Sequence, residues 1–245
     1  MVTPSTPTRP DTGFGVRSVL ALSALALVAV PFGLLLFLVQ DRWPPLRRVD
    51  DGARDALHRL ALEHPAFADT MRALSTFGSA PVYVVVFTLV TAWLAHRRMP
   101  RLACWVAVTQ LGGAALNELV KLLVDRARPV VADPIAHASG LSFPSGHAQA
   151  AVVAYSMLLL LTRHSLHRAW WSAAVACSVV VVLGIGLSRV ALSVHYVSDV
   201  LAGYALGGAW VVAMTAAFTA WRADSGKPPV PPGEEVAEVV RDDRP

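Results

Sequence analysis

Charged residues are scarce in this sequence of 245 residues: Asp, Glu, Lys and Arg make up 16% of it, whereas 55% is hydrophobic. Soluble domains carry about 25% charged residues, so the composition excludes an ordinary water-soluble fold. There are only two cysteines, Cys104 and Cys177, and both lie in apolar stretches. This excludes a disulfide framework, and we interpret both cysteines as small core residues.

Signatures of several other protein classes are also missing. The sequence has no internal repeat, no glycine-rich nucleotide-binding loop and no cysteine–histidine spacing typical of a metal site. The formal net charge of +4 is modest. We therefore expect no metal, cofactor or nucleic acid as a partner, and the sequence leaves the oligomeric state open.

Long uncharged runs are what the sequence has instead. A membrane-spanning helix needs about 20 apolar residues, and six runs are candidates, although the fourth is short enough to be a buried helix. These runs are 18–39, 78–95, 102–124, 147–162, 169–188 and 200–221. We predict an all-α integral membrane protein with six transmembrane helices. The flanking segments 1–16 and 223–245, rich in proline or charge, are predicted to be disordered tails.

The basic residues predict how the chain is oriented. In a six-span chain, the arginines near 97–101, those at 163 and 168, and both termini share one face, which the positive-inside rule makes cytoplasmic. The opposite loop, 40–77, carries six arginines but also six acidic residues. Within it, Phe67, Met71 and Leu74 recur at helical spacing. This predicts a short helix that either lies on the membrane surface or packs against neighbouring spans.

Three polar motifs interrupt this apolar background, and the first closes the third span. Lys121 and Arg128 would share one stripe if the helix continued to Pro129, which marks its predicted end. A charged residue at membrane depth costs about 2.5–3.5 kcal/mol, which makes it a candidate for function. The alternative is that both side chains extend to lipid head groups.

The second motif is Pro144-Ser145-Gly146-His147, directly before the fourth apolar run. Ser145 can cap the helix, and Gly146 lets a ligand approach the backbone. Free N–H groups and the helix dipole favour a phosphate there, with His147 facing it from the first turn. An ordinary helix cap could have the same sequence.

The third motif is Ser188-Arg189, followed by His195 and Asp199. If a helix begins near Ser193, His195 and Asp199 lie one turn apart on one face. The carboxylate can then fix the imidazole tautomer and leave the other ring nitrogen free to attack. A His–Asp pair that merely caps the sixth span is the alternative.

The predicted topology brings the three motifs to one membrane face, opposite the arginine-rich short loops. Independent helix caps would not be expected to collect three cations, two histidines and a carboxylate there. Gly203 and Gly207, four residues apart in the sixth span, predict a close approach between helices. The sequence therefore predicts an anion-binding site at the outer ends of several packed helices.

With these motifs the sequence resembles the type 2 phosphatidic acid phosphatase (PAP2) superfamily of membrane lipid-phosphate phosphatases. The resemblance rests on "KLLVDRARP", "PSGH" and "SRVALSVHYVSD", which occur in that order between residues 121 and 199. It implies a PAP2-type helical bundle over residues 17–222. With the orientation that the basic loops predict, we expect this bundle in the plasma membrane, with the active site on the outer face and both termini cytoplasmic.

The resemblance also implies a metal-independent mechanism. His195 would attack phosphorus to form a phosphohistidine, with Asp199 orienting the imidazole. His147 would protonate the leaving alkoxide and then activate water. The groups that would hold the phosphoryl oxygens are Lys121, Arg128, Ser145, the Gly146 amide and Arg189.

Several alternatives stay open at the level of sequence. The expected reaction is hydrolysis of a phosphomonoester or diphosphate on a membrane lipid such as phosphatidate, phosphatidylglycerophosphate or undecaprenyl diphosphate. A lipid-linked phosphotransferase would use the same intermediate, and a non-catalytic transporter or binding protein for anionic lipids is a third reading. Glu118 is predicted to pair with Lys121, Asp125 to tune the pocket or balance charge, and His137 to touch a head group or face solvent.

Overall fold

The computed structural model describes residues 12–225 and 228–242, with the side chains of residues 23, 25–225 and 228–237. Within these ranges the chain forms nine α-helices and no strand, as predicted for the fold class. The helices are α1 (Thr12–Gln40), α2 (Pro44–Glu63), α3 (Pro65–Phe77), α4 (Ala80–His96), α5 (Pro100–Val124), α6 (Gly146–Thr162), α7 (Arg168–Ala191), α8 (Val197–Asp224) and α9 (Pro232–Asp242).

The six predicted runs all fall in helices, but not all of these helices are long and apolar enough to cross a bilayer by themselves. Three described segments are long and apolar enough: Pro65–His96, Arg168–Ala191 and Val197–Asp224. A fourth span would result if Leu25–Gln40 and Pro44–Glu63, which are bent by 93°, crossed the membrane together. α6 has only 17 residues, and α5 carries polar side chains such as Gln110, Asn117 and Glu118. The count of six spans therefore stays a prediction.

Prolines mark where several helices begin. Pro44, Pro65, Pro81 and Pro100 lie in the first turns of α2, α3, α4 and α5, where a proline loses no helical hydrogen bond. These starts divide the predicted 40–77 loop into two helices. Met71 of α3 is buried among residues 191–194 at the end of α7, so α3 packs against a neighbouring helix.

Glycines bring α8 against α6. A Cβ added at Gly203 would lie 2.6 Å from the Ser145 carbonyl oxygen, and one at Gly207 would lie 2.8 Å from the Gln149 carbonyl oxygen. This confirms the predicted close approach and identifies α6 as the partner. The contact lies at the start of α6, where Ser145 directly precedes Gly146 and His147.

Two predictions about the periphery differ from the structure. Residues 1–11 of the predicted N-terminal tail lie outside the described residues, whereas 12–16 are helical. The prediction of a disordered tail over 223–245 is wrong for α9, because Val236 and Ala237 are buried and Glu235 pairs with Arg222 of α8 at 2.5 Å.

The interpretation of the cysteines as core residues is also wrong. Cys104 of α5 and Cys177 of α7 are both exposed. Both lie on outward faces of helices whose surfaces are largely apolar, where a thiol is as acceptable as another small apolar group.

Candidate active site

A cavity of about 570 Å³ opens at the end of the bundle where α5 and α7 finish and α6 and α8 begin. Six of the eight predicted site residues line it together: Lys121, Arg128, Gly146, His147, Arg189 and His195. The other two, Ser145 and Asp199, are fully buried beside these residues. Segments that are 70 residues apart in the chain thus contribute to one site.

His195 lies in the short connection between α7 and α8 and is 2% exposed. Its Nε2 is 3.0 Å from Nη1 of Arg128, and its Nδ1 is 3.4 Å from Oδ2 of Asp199. The expectation that a helix begins near Ser193 is wrong. Ser193 has a φ of +55°, which turns the chain there, and α8 begins only at Val197.

This geometry selects a tautomer for the imidazole. A proton on Nδ1 faces the Asp199 carboxylate, and the Nε2 lone pair then accepts from Arg128, which lines the cavity beside His195. Burial, together with Arg128 and Arg189, lowers the pKa of His195 to about 4 despite the opposing effect of Asp199. The imidazole is therefore neutral at neutral pH, as a nitrogen nucleophile must be.

Asp199 is held by more partners than the sequence predicted. Its Oδ2 accepts from the Tyr196 backbone N–H at 2.9 Å and from the Ser142 hydroxyl. Its Oδ1 accepts from Nη1 of Arg126 at 2.5 Å. The 3.4 Å between Nδ1 of His195 and Oδ2 of Asp199 is longer than an ordinary hydrogen bond, and Oδ2 already accepts from two other donors.

Arg126 and Asp50 were missed by sequence reasoning. Nη2 of Arg126 donates to Oδ2 of Asp50 at 2.8 Å, and Asp50, although it lies in α2, is only 1% exposed. Burial opposes the charge of Arg126, but Asp199 and Asp50 outweigh it and raise the pKa of Arg126 above its usual value. No local pattern distinguishes Asp50 from the other acidic residues between 40 and 77.

Arg128 reaches the cavity from a loop and not from a helical stripe, which corrects the predicted extent of the third span. α5 ends at Val124, and Asp125 follows in the left-handed region with a φ of +51°. The Arg128 guanidinium donates to three backbone carbonyls, those of Ser139 and Gly140 at 3.1 Å and that of Val194 at 2.8 Å. These bonds fix the guanidinium in place.

Lys121 and Arg189 complete the cationic lining. Nζ of Lys121 is 2.6 Å from Oε1 of Glu118, which confirms the predicted pair. Arg189 is 7% exposed and donates to the hydroxyl of Ser75, a residue of α3 that the sequence gave no reason to select. α3 therefore supports the site from outside the three motifs.

The start of α6 has the predicted form. Ser145 is the N-cap and its hydroxyl accepts from the Ala148 N–H at 3.5 Å. A Cβ at Gly146 would lie 3.2 Å from Oδ1 of Asn117 and 3.8 Å from Nζ of Lys121, so glycine leaves the backbone open to the cavity. The hydroxyl of Ser145 caps the helix and lies behind the cavity lining.

The remaining predicted residues divide between two cavities. His137 lines the cavity of about 570 Å³ together with Ser139. Asp125 is exposed and lines a second cavity, of about 420 Å³, on the side of Arg126 and Asp50. Among the described residues, no group of three His, Cys, Asp or Glu side chains is arranged to hold a metal ion.

The fold is that of a membrane phosphatase. The chain is similar to the crystal structure titled the first transmembrane PAP2 type phosphatidylglycerolphosphate phosphatase from Bacillus subtilis, with a TM-score of 0.70 and 22% identity over 78% of this chain and 93% of that one. The family model described as PAP2 superfamily matches residues 101–223. This integral membrane protein belongs to the PAP2 superfamily, as the three motifs predicted.

Two groups of curated relatives are similar in sequence. Phosphatidylglycerophosphatase B of Bacillus subtilis (strain 168) is 41% identical over 97 residues, which are 38% of this chain and 46% of that protein. The matched region thus spans less than half of that relative. Decaprenylphosphoryl-5-phosphoribose phosphatases of two Mycobacterium tuberculosis strains are 33% identical over 159 residues, 62% of this chain and 81% of theirs.

Proposed function

We propose that this protein hydrolyses a phosphate ester on the head group of a membrane lipid through a phosphohistidine intermediate. The observation that carries the proposal is the cavity itself. It places Nε2 of His195 and the side chain of His147 beside Lys121, Arg128 and Arg189 at one end of a bundle of apolar helices. Fixed cations around a nitrogen nucleophile are what phosphoryl transfer requires.

In the first step, Nε2 of His195 attacks phosphorus and the bond to the lipid oxygen breaks. Asp199 stabilises the positive charge that the imidazole acquires. His147, in its protonated form, donates a proton to the departing alkoxide. Lys121, Arg128 and the backbone N–H of Gly146 at the start of α6 bind the non-bridging oxygens.

In the second step, water attacks the phosphohistidine. His147, now neutral, takes a proton from this water, and the P–N bond breaks. Orthophosphate leaves, and His195 returns to its neutral form with its Nδ1 proton toward Asp199. Each cycle consumes one water and needs no other reactant.

We propose a phosphomonoester as the preferred substrate. The names of the relatives describe such esters: a glycerophosphate joined to a phosphatidyl group, and a phosphoribose joined to a decaprenylphosphoryl group. Beyond the charged end, the cavity is lined by small apolar side chains that suit the lipid part of a substrate, those of Ala80, Ala114, Ala150 and Val153. A polyprenyl diphosphate is the substrate to compare.

The function is tested by phosphate release from purified protein given phosphatidylglycerophosphate, phosphatidate or a polyprenyl diphosphate in EDTA. We expect release from a phosphomonoester, and His195→Ala should lower kcat by a factor on the order of 10³ or more. His96→Ala, at the opposite end of the bundle, is the control. Normal turnover by His195→Ala would contradict the assignment of His195 as the nucleophile. Transfer of a labelled phosphoryl group to an acceptor lipid would indicate a phosphotransferase.

The intermediate has its own test. With p-nitrophenyl phosphate the leaving group needs no protonation, so His147→Asn should still complete the first step but not the second. We expect a burst of nitrophenolate close to one per protein and an acid-labile phosphate on His195. A variant without burst and without labelled protein would contradict this division of roles.

We also propose six spans, with the active site on the outer face of the plasma membrane and both termini in the cytoplasm. The positive short loops at residues 97–101 and 163–168 lie at the end of the bundle opposite the cavity, which supports this orientation.

A further inference from the structure

Two carboxylates are buried close to His195, on the side away from the phosphate cavity. Asp199 is 0% exposed and Asp50 is 1% exposed. The Ser198 hydroxyl connects Asp50 to Arg126, because its Oγ donates to Asp50 at 2.5 Å and accepts from Arg126 at 2.7 Å. Two buried anions at such short range would be costly without a shared cation.

Arg126 is that cation. Its Nη1 donates to Asp199 at 2.5 Å and its Nη2 to Asp50 at 2.8 Å, so the guanidinium bridges the two carboxylates. Its plane lies over the Tyr196 ring, with Cζ 4.2 Å from the ring centroid. Arg126 is not among the residues that line the phosphate cavity.

We propose that Asp50 and Arg126 extend the His195–Asp199 pair into a chain of alternating charge, in which Arg126 positions the nucleophile and keeps its carboxylate partner ionised. This inference rests on the proposed function of His195. Arg126 is a positioning residue, because it acts on His195 only through Asp199. Asp50 in turn orients Arg126 and ties α2 to the start of α8 by accepting from the Ser198 N–H at 2.9 Å.

This chain of alternating charge has an electrostatic effect on His195 that packing alone would not have. The other charged or titratable groups near His195 are Arg128 from the loop, Arg189 from α7 and His147 from α6. None of these contacts the Asp199 carboxylate. If Arg126 were removed, the negative charges of Asp199 and Asp50 would no longer be balanced by their shared cation, which favours the protonated form of His195.

The test is a pair of substitutions with opposite expected effects on the pH profile. Arg126→Gln removes a positive charge, so the acid limb of kcat/KM should move up by about one pH unit, whereas Asp50→Asn removes a negative charge and should move it down. Arg126→Gln should also lower kcat by about a hundredfold while KM changes less than about threefold, because the cavity is intact.

Arg54→Gln is the matched control. Arg54 is also an arginine of this region, pairs with Asp51 and Asp55, and has its Cζ 5.9 Å from the centroid of the Tyr196 ring, but it does not touch Asp199. We expect it to keep the wild-type pH profile. Arg126→Lys keeps the positive charge. We expect it to have the acid limb of kcat/KM at the wild-type pH but to recover only part of the wild-type kcat. Equal profiles for Arg126→Gln and Arg54→Gln would overturn the inference while leaving the hydrolase intact.

A second readout is independent of turnover. Nitrogen-15 histidine NMR of the full chain follows the protonation of His195, whose signal is the one lost in His195→Gln. The pKa of His195 should rise in Arg126→Gln and fall in Asp50→Asn. If the pKa of His195 moved in the same direction in both variants, or in neither folded variant, the proposed role of Arg126 and Asp50 would be refuted. This holds even if the protein had another activity.

Discussion

The titration of His195 determines the acid side of the pH dependence that we expect for hydrolysis. Burial lowers the pKa of this histidine to about 4 in the folded protein, from an ordinary value near 6.5. Since attack requires the neutral imidazole, kcat/KM should stay level through pH 6.5 and fall only as the pH approaches about 4. Half of the activity lost near pH 6.5 would contradict this assignment.

The same shift has a consequence for stability. The unfolded chain takes up a proton on this histidine below about pH 6.5, whereas the folded chain does so only near pH 4. The contribution of His195 to the free energy of unfolding is therefore complete above pH 6.5 and decreases as the pH falls toward 4.

Single residues were predictable where one short motif contains them. The fixed spacings located His147, His195 and Arg128 because each motif must bring polar groups to one helix end. The local geometry was harder, since Asp125 and Ser193 adopt left-handed backbone that ends or delays a helix. Residues such as Asp50 and Ser75 reach the site from α2 and α3, and only the packing of those helices reveals them.

At the scale of helices, the contact between α6 and α8 positions the start of α6. Gly203→Ala would place a Cβ 2.6 Å from the Ser145 carbonyl oxygen and 3.1 Å from Cβ of Ala148. The helices must then separate, which should lower the free energy of unfolding by about 1–3 kcal/mol and reduce kcat/KM. Thermal unfolding and assays on the folded protein measure both effects.

Gly208→Ala is the control for that substitution. It lies on the same helix, but its Cβ would meet only the Val28 side chain, at an ordinary 3.4 Å. We expect little change in stability or activity. Equal losses of stability and activity in Gly203→Ala and Gly208→Ala would mean that the close contact at Gly203 does not determine either property.

The helix α9 should contribute to stability without contributing to catalysis. Glu235 and Arg222 are both buried and 2.5 Å apart, so Glu235→Ala removes a charge-assisted hydrogen bond and should lower the free energy of unfolding by about 1.5–3 kcal/mol. The site lies at the other end of α6, roughly 25 Å away by helix rise, and kcat/KM should not change. Glu234→Ala, which removes only a half-exposed carboxylate, is the control for the unfolding measurement.

α9 also illustrates what composition could not reveal. The segment 223–245 is rich in proline and charge, which indicates disorder when its residues are considered alone. Its few apolar residues, among them Val236 and Ala237, are buried only because α9 packs against α6 and α8. The six long hydrophobic runs, in contrast, could be predicted as helices from their own composition, without knowledge of the helices they pack against.

At the scale of the whole molecule, the orientation in the membrane can be measured by labelling. In a cysteine-free background made by Cys104→Ala and Cys177→Ala, single cysteines replace Ala132, an exposed residue of the loop between α5 and α6, and Ser165, an exposed residue between α6 and α7. A membrane-impermeant maleimide should label position 132 in intact cells and position 165 only after permeabilisation, because the proposed topology has the positive loops in the cytoplasm. The reverse pattern would invert the topology.

The three cations in the cavity do not distinguish a lipid-bound phosphoryl group from free orthophosphate. Lys121, Arg128 and Arg189 retain their charge after the lipid alcohol has departed, and Arg128 and Arg189 are held in place by neighbouring groups. We therefore expect orthophosphate to inhibit the proposed hydrolysis competitively, because the released anion and the next substrate molecule would bind the same cations.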